Sequence, residues 1–119
     1  MNKTHIEILK EIGEERKKFF ENFKDYSLEI KNKAKQLLGE VKVLVFGSVI
    51  KNSYNIVNSD IDILIISNKL PEKSEERSRI KAEIKSVLPL FNPFQIHLAT
   101  KKEYENWYKN FIKDDFIEI

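Results

Sequence analysis

Residues 43–67, VLVFGSVIKNSYNIVNSDIDILIIS, contain the two apolar segments that decide the fold. The segments at 43–46 and 61–66 are short, rich in β-branched residues and free of proline, which is typical of buried strands. A Gly-Ser pair follows the first segment, and an Asp-Ile-Asp triplet opens the second. The stretch therefore predicts a turn at the end of one strand and two carboxylates at the start of the next.

The composition is that of a small protein with a heavily charged surface. A chain of 119 residues with 41% hydrophobic residues suits one domain, and we expect residues 1–119 to form it. The formal net charge of +2 gives no indication of nucleic acid. The absence of cysteine excludes disulfides, thiolate metal sites and thiol nucleophiles. The amino terminus is polar and no apolar run is long enough to cross a membrane, so we expect a cytoplasmic protein.

The first part of the chain has a helical pattern. Apolar residues recur at helical spacing from Thr4 to Leu38, which predicts an N-terminal helical segment over 1–39 as two helices or one bent helix. We expect the break near Asp25, with Ser27 as the helix cap. Gly39 follows the last apolar position and predicts the end of the segment.

The middle of the chain, residues 41–100, is the predicted core that carries the motifs. After the two strands, residues 72–87 have the apolar spacing of a helix, and residues 94–100 alternate as a third strand. In that strand Gln95 and His97 share the polar face. Together with the helical ends, these elements predict an α+β fold, an α/β sandwich with a mixed sheet of at least three strands flanked by helices.

The last part of the chain, residues 101–119, is predicted as a C-terminal helix. Thr100 with Glu103 has the spacing of a capping box at its start. Four aromatic residues at helical spacing are interpreted as a core-facing stripe, with base stacking or a partner interface as the alternatives: Tyr104, Trp107, Tyr108 and Phe111.

The two aspartates have the spacing of a metal site. Residues two apart on a strand share a face, so Asp60 and Asp62 project together, and carboxylate oxygens suit Mg²⁺. Gly47 lets a backbone approach a phosphate, and Ser48 offers a hydroxyl and an N–H group. The alternative interpretation is an ordinary tight turn beside a solvated acidic pair.

This combination of strand, Gly-Ser and Ser-Asp-Ile-Asp-Ile-Leu-Ile resembles the DNA polymerase β-like nucleotidyltransferase superfamily, and the small size resembles its minimal members. The resemblance covers roughly half of the chain, residues 41–100. It implies that Gly47 and Ser48 bind a nucleoside triphosphate, with ATP as the expected nucleotide. It also implies that Asp60 and Asp62 are the catalytic residues and bind Mg²⁺, as one or two ions.

The family pattern has a third carboxylate on a later strand, and this chain departs from it. The corresponding polar face carries Gln95 and His97. An amide oxygen can bind Mg²⁺ but has no charge and cannot act as a general base, whereas a histidine can accept a proton near neutral pH. Both residues can also be read as polar strand residues without a catalytic task.

The resemblance implies transfer of a nucleoside monophosphate from the triphosphate to an acceptor hydroxyl, with release of pyrophosphate. Small members are often paired with a helical HEPN-type protein in toxin–antitoxin modules, which makes a protein tyrosine a candidate acceptor. A homo-oligomer could also complete the site. The alternative function is a catalytically silent module that binds nucleotide or a partner subunit.

Overall fold

Four strands, β1 (Lys42–Phe46), β2 (Ile61–Ile66), β3 (Phe94–Ala99) and β4 (Phe116–Glu118), form one sheet in the computed structural model, which describes residues 3–119. Their order across the sheet is β3-β2-β1-β4. β1 is antiparallel to both of its neighbours, whereas β2 and β3 are parallel. The predicted mixed sheet of at least three strands flanked by helices is confirmed.

The helices are α1 (His5–Glu21), α2 (Phe23–Leu38), α3 (Ser74–Lys85), α4 (Lys101–Glu103), a π-helical turn (Tyr104–Tyr108) and α5 (Lys109–Ile112). The first two residues of the predicted helical segment 1–39 lie outside the described residues. Gly39 ends α2 as predicted, with a φ of 76° and an N–H group that donates to the Lys35 carbonyl at 2.9 Å. No helix in the described part of the chain is long and apolar enough to cross a membrane.

The break between α1 and α2 lies at Asn22, so the predicted break near Asp25 is wrong. Asn22 leaves the helical conformation, and its side-chain amide donates to the Lys18 carbonyl at 3.0 Å. A short amide side chain competes for backbone groups in this way and favours helix ends. Ser27 is not a cap, because it is buried within α2 and its hydroxyl donates to the Phe23 carbonyl at 2.6 Å.

The two faces of the sheet have separate cores. α1, α2 and α3 cover one face, where the inward residues of all three long strands are buried. Residues 101–112 cover the other face, where Leu44, Leu64, Ala99 and Ile112 form a smaller core. Because side chains alternate along a strand, Asp62, Gln95 and His97 lie on this second, thinly covered face.

The C-terminal helix is shorter than the predicted 101–119. It ends at Ile112, Lys113 has a φ of 52°, and Phe116–Glu118 pair with β1 as strand β4. This pairing satisfies the free edge of β1, which a helix running to the last residue would leave exposed. The final residues therefore stabilise the strand that leads into Gly47.

The capping box at the start of α4 also holds the C-terminal helical segment to α3. The Thr100 hydroxyl accepts from the Glu103 N–H at 3.2 Å, and the Glu103 carboxylate accepts from the Thr100 N–H at 2.9 Å. Arg77 on α3 donates to the same carboxylate at 2.9 Å. The hydrogen bond from the Thr100 N–H group lowers the pKa of Glu103 below its ordinary value of 4.5. Burial opposes this decrease, and the charge and hydrogen bond of Arg77 add to it.

The lowered pKa of Glu103 predicts a pH-dependent contribution to stability. Glu103 is protonated at a higher pH in the unfolded chain than in the folded one. Its contribution to the free energy of unfolding is therefore present above pH 4.5 and is lost as the pH falls through the pKa of the folded state. Glu103→Gln should lower the free energy of unfolding by about 0.5 kcal/mol at pH 7, because a half-exposed pair is screened by solvent. Urea unfolding at pH 7 and pH 3 measures this, and a difference of equal size at both pH values would contradict it.

Candidate active site

The turn after β1 brings the backbone against Asp62. Gly47 has a φ of 87°, and a Cβ atom built on it would lie 2.5 Å from Oδ2 of Asp62. The N–H groups of Ile50 and Lys51 donate to the Gly47 carbonyl at 3.2 and 3.4 Å, so residues 48–52 form hydrogen-bonded turns. These bonds use neither the N–H group of Ser48 nor that of the next residue. Only glycine permits so close an approach at this φ.

The loop before Asp60 is held by a residue that sequence reasoning missed. Arg16 on α1 donates from Nε to the Ile56 carbonyl at 2.5 Å and from a terminal nitrogen to the Ser59 carbonyl at 2.6 Å. The Asn55 side chain accepts from the N–H group of Val57 at 2.8 Å, and thus closes the same loop. The available signal was a lone arginine on the otherwise apolar face of α1.

The two predicted metal-binding aspartates differ in their surroundings. Asp60 is exposed and precedes β2 by one residue, whereas Asp62 lies within the strand and its side chain is 28% exposed. Asp62 pairs with Phe46 across the sheet, which places it beside the residue that leads into the glycine turn. The structure therefore brings the turn and the second aspartate together, and it leaves the first aspartate at the solvent-exposed entrance to β2.

The strand that carries the predicted third position lies directly beside Asp62. Parallel pairing of β2 and β3 makes Gln95 the neighbour of Asp62, and the Gln95 side chain is exposed. Nε2 of His97 lies 3.2 Å from Oδ1 of Asp62, within hydrogen-bond distance. The other oxygen of this carboxylate, Oδ2, faces the Gly47 turn, and a hydrogen bond from His97 would hold it in that orientation.

The types of side chain present suit a magnesium ion that takes its remaining ligands from water or phosphate oxygens. Within residues 3–119, no group of three or more His, Asp or Glu side chains could hold a metal by itself. Two carboxylates with an adjacent amide oxygen nevertheless suit Mg²⁺, which keeps several waters and commonly takes one or two carboxylates plus phosphate oxygens. Asp60, Asp62 and Gln95 would be that donor set.

The C-terminal helical segment flanks the site with aromatic side chains. Tyr104 and Tyr108 are half-buried against the smaller core, as predicted for a core-facing stripe. Burial raises the pKa of Tyr108, and the negative charge of Glu103 adds to the increase while Arg77 opposes it. The core interpretation is wrong for Trp107 and Phe111, which are 66% and 52% exposed.

A second concave surface lies at the opposite end of the sheet. This pocket of about 460 Å³ is lined by residues that include Lys42, Ser67, Lys69 and Lys101. Since β1 and β2 are antiparallel, the pairing of Lys42 with Ile66 marks the end of the sheet farthest from the pairing of Phe46 with Asp62. None of the predicted site residues lines this pocket, and the candidate site is the surface around Asp62.

Two solved structures have a similar fold. A crystal structure of a protein provisionally named a nucleotidyltransferase is 27% identical with a TM-score of 0.59, and the match covers 76% of this chain and 94% of that one. A second such protein, from Sulfolobus solfataricus, is 17% identical with a TM-score of 0.60, covers 88% of this chain and 82% of that one, and supports the fold alone. No curated protein sequence matches the chain. Residues 28–119 match the model of the nucleotidyltransferase domain, and the chain belongs to that family.

Proposed function

We propose that this chain uses Mg²⁺ to transfer a nucleoside monophosphate from a nucleoside triphosphate, with ATP as the expected donor, to an acceptor hydroxyl. Membership of the nucleotidyltransferase domain family supports the class of reaction. The observation that carries the proposal to particular residues is the close approach of the Gly47 backbone to the Asp62 carboxylate. A phosphate-binding turn and a metal-binding carboxylate have to be neighbours for this chemistry.

In the proposed reaction the acceptor hydroxyl loses its proton to solvent and its oxygen forms a bond to the α-phosphorus. The bond from that phosphorus to the oxygen bridging to the β-phosphate breaks, and pyrophosphate leaves. The turn at Gly47 and Ser48 would bind the phosphates, and His97 would keep Asp62 in position. Asp60 and Asp62, with the amide oxygen of Gln95, would hold Mg²⁺, which when bound neutralises charge on the phosphate oxygens.

We propose that the acceptor hydroxyl belongs to a partner protein. α1 exposes the apolar side chains of Ile6, Leu9 and Ile12, which are 68%, 66% and 51% accessible to solvent. The same helix holds the loop before Asp60 through Arg16, so a protein bound to α1 would lie beside the loop that leads into β2. The family resemblance suggests a HEPN-type protein of a toxin–antitoxin module and a tyrosine acceptor, with a second copy of this chain as the alternative.

Labelled ATP tests the proposed transfer directly. The purified chain, alone and with candidate partners, is incubated with Mg²⁺ and with ATP labelled on the α-phosphate. Label should appear on a protein acceptor together with free pyrophosphate. Nucleotide binding without transfer of label to any acceptor would contradict the proposed enzymatic activity.

The second candidate function is a module that binds nucleotide or a partner subunit without transfer. It is favoured by one specific observation, the amide of Gln95 beside Asp62 where the family pattern has a carboxylate. Both candidate functions use the proposed phosphate-binding turn, and they differ in whether the nucleoside monophosphate is transferred to an acceptor. The labelling experiment therefore separates them.

Substitution of Gln95 measures how much the third position contributes to metal binding. Gln95→Glu places a third carboxylate next to Asp62, so we expect Mg²⁺ affinity in the presence of nucleotide to rise about tenfold, because an added ligand charge strengthens a hard-cation site. Isothermal titration calorimetry measures the affinity. The matched control is Gln36→Glu on the exposed surface of α2. Equal affinities for both variants would place Gln95 outside the metal site.

A further inference from the structure

An exposed aromatic surface continues directly from the candidate site. Its two outer residues are Trp107 and Phe111, whose ring centroids are 6.5 Å apart. Phe111 contacts Phe46 with a centroid distance of 6.3 Å, and the Phe46 ring is 5.5 Å from that of His97. Since His97 is hydrogen-bonded to Asp62, an unbroken row of rings leads from the metal-binding carboxylate to solvent.

The backbone beneath this surface has an unusual conformation. Residues Tyr104–Tyr108 form a π-helical turn between the α4 cap and α5. Such turns are rare and recur at functional sites, because the extra residue rotates the following side chains relative to a regular helix. Here the helix is fixed at one end by the Thr100 capping box and at the other by buried Ile112, so the π turn sets the direction of the aromatic residues between them.

Packing against the sheet does not account for Trp107 and Phe111, because Tyr108 occupies the position between these two rings and the sheet. Tyr108 lies between the surface and the sheet, and its ring is 6.2 Å from that of His97 and 5.5 Å from that of Phe111. It is the half-buried ring that packs against the sheet, while Trp107 keeps 66% of its surface in water. A large exposed aromatic side chain beside a polar site is typical of ligand binding.

We propose that Trp107 and Phe111 bind the nucleobase of the nucleoside triphosphate by stacking, and this rests on the proposed function. A nucleoside triphosphate has an anionic end and a planar, weakly polar end. The glycine turn and a Mg²⁺ ion held by Asp62 would bind the anionic end, and the aromatic surface that continues from them suits the base. Stacking uses the face that every base has, so the site should discriminate weakly among bases and favour the larger purines.

The sequence provides a direct probe, because Trp107 is its only tryptophan. Titration with ATP should quench or shift the tryptophan fluorescence of the intact chain, and GTP should do the same. UTP and CTP should give smaller changes. Inorganic tripolyphosphate, which has the phosphates but no base, should bind and leave the fluorescence unchanged.

Variants give a second, independent measurement by calorimetry. Trp107→Ala should weaken ATP binding about tenfold to a hundredfold, the loss expected for one stacking contact, and should leave tripolyphosphate binding unchanged. Trp107→Phe should restore most of the affinity. Phe91→Ala is the control, because Phe91 is 94% exposed and lies outside the row of rings.

The proposal is overturned if ATP binds without a change in tryptophan fluorescence and Trp107→Ala binds ATP as tightly as the parent chain. Equal quenching by tripolyphosphate, or no binding of any nucleotide, would also overturn it. A variant that keeps ATP affinity but loses a partner protein would reassign the surface to protein binding. Fluorescence changes without nucleotidyl transfer would leave the base site standing and contradict only the proposed enzyme.

Discussion

Asp62→Asn is expected to reduce nucleotidyl transfer about a thousandfold while leaving the fold intact. Asparagine has the shape of aspartate and can still contact His97, but it lacks the charge that would hold Mg²⁺ between the strand and the phosphates. The initial rate of label transfer from ATP measures the effect. Urea unfolding of the variant checks that its stability is close to that of the parent chain.

The matched control for this substitution is Asp25→Asn. Asp25 is exposed in the first turn of α2 and lies in the N-terminal helical layer, on the opposite side of the sheet from Asp62. Its replacement should cost a few tenths of a kcal/mol of stability through the helix dipole and should not change transfer. An Asp62→Asn variant that keeps more than a tenth of the parent rate would show that this carboxylate is not part of the reaction.

Gly47→Ala is expected to lower both stability and transfer. The positive φ at this position costs an alanine about 1–2 kcal/mol, and the new methyl group would have to displace Oδ2 of Asp62 from 2.5 Å. A carboxylate moved by about 1 Å can cost about a hundredfold in rate, because the reacting groups lose their alignment. Urea unfolding and the labelling assay measure the two effects separately.

Substitutions at two other glycines distinguish the effect of backbone strain from the effect of displacing the Asp62 carboxylate. Gly39→Ala imposes a similar strain at a φ of 76°, but its methyl group would meet only the mobile end of Lys69, so stability should fall while transfer is retained. Gly13→Ala places the methyl group in open space within α1 and should raise the free energy of unfolding by about 0.5–1 kcal/mol. Equal loss of transfer in the Gly39 and Gly47 variants would show that strain alone explains the effect.

The strands and the polar face of β3 could be predicted because alternation is a local property. Phe94 and Ile96 face one core while Gln95 and His97 face the other side, as the spacing of the apolar residues indicates. The turn at Gly47 could also be predicted from the local sequence, because a glycine directly after a strand favours a turn.

Other features depend on contacts that the sequence does not display. Arg16 contacts carbonyl groups 40 and 43 positions away, so its place on the apolar face of α1 marks it as unusual but does not indicate which loop it binds. The three residues of β4 are too few to show a period, and only the free edge of β1 explains them. Helical spacing placed Trp107 on the aromatic stripe, but spacing alone cannot say whether another part of the chain covers it.

The parallel pairing of β2 and β3 has a consequence for how the site is assembled during folding. Gly47 and Asp62 meet by closing the loop 47–60, whereas Gln95 and His97 reach Asp62 only after the crossover 67–93 is closed. The longer loop costs about 0.6 kcal/mol more in chain entropy, since loop-closure entropy grows with the logarithm of length. The half of the site that would bind phosphate is therefore local in the chain. Gln95, His97 and the aromatic residues that would bind the base join the site only through contacts that are distant in the chain, and such contacts form more slowly.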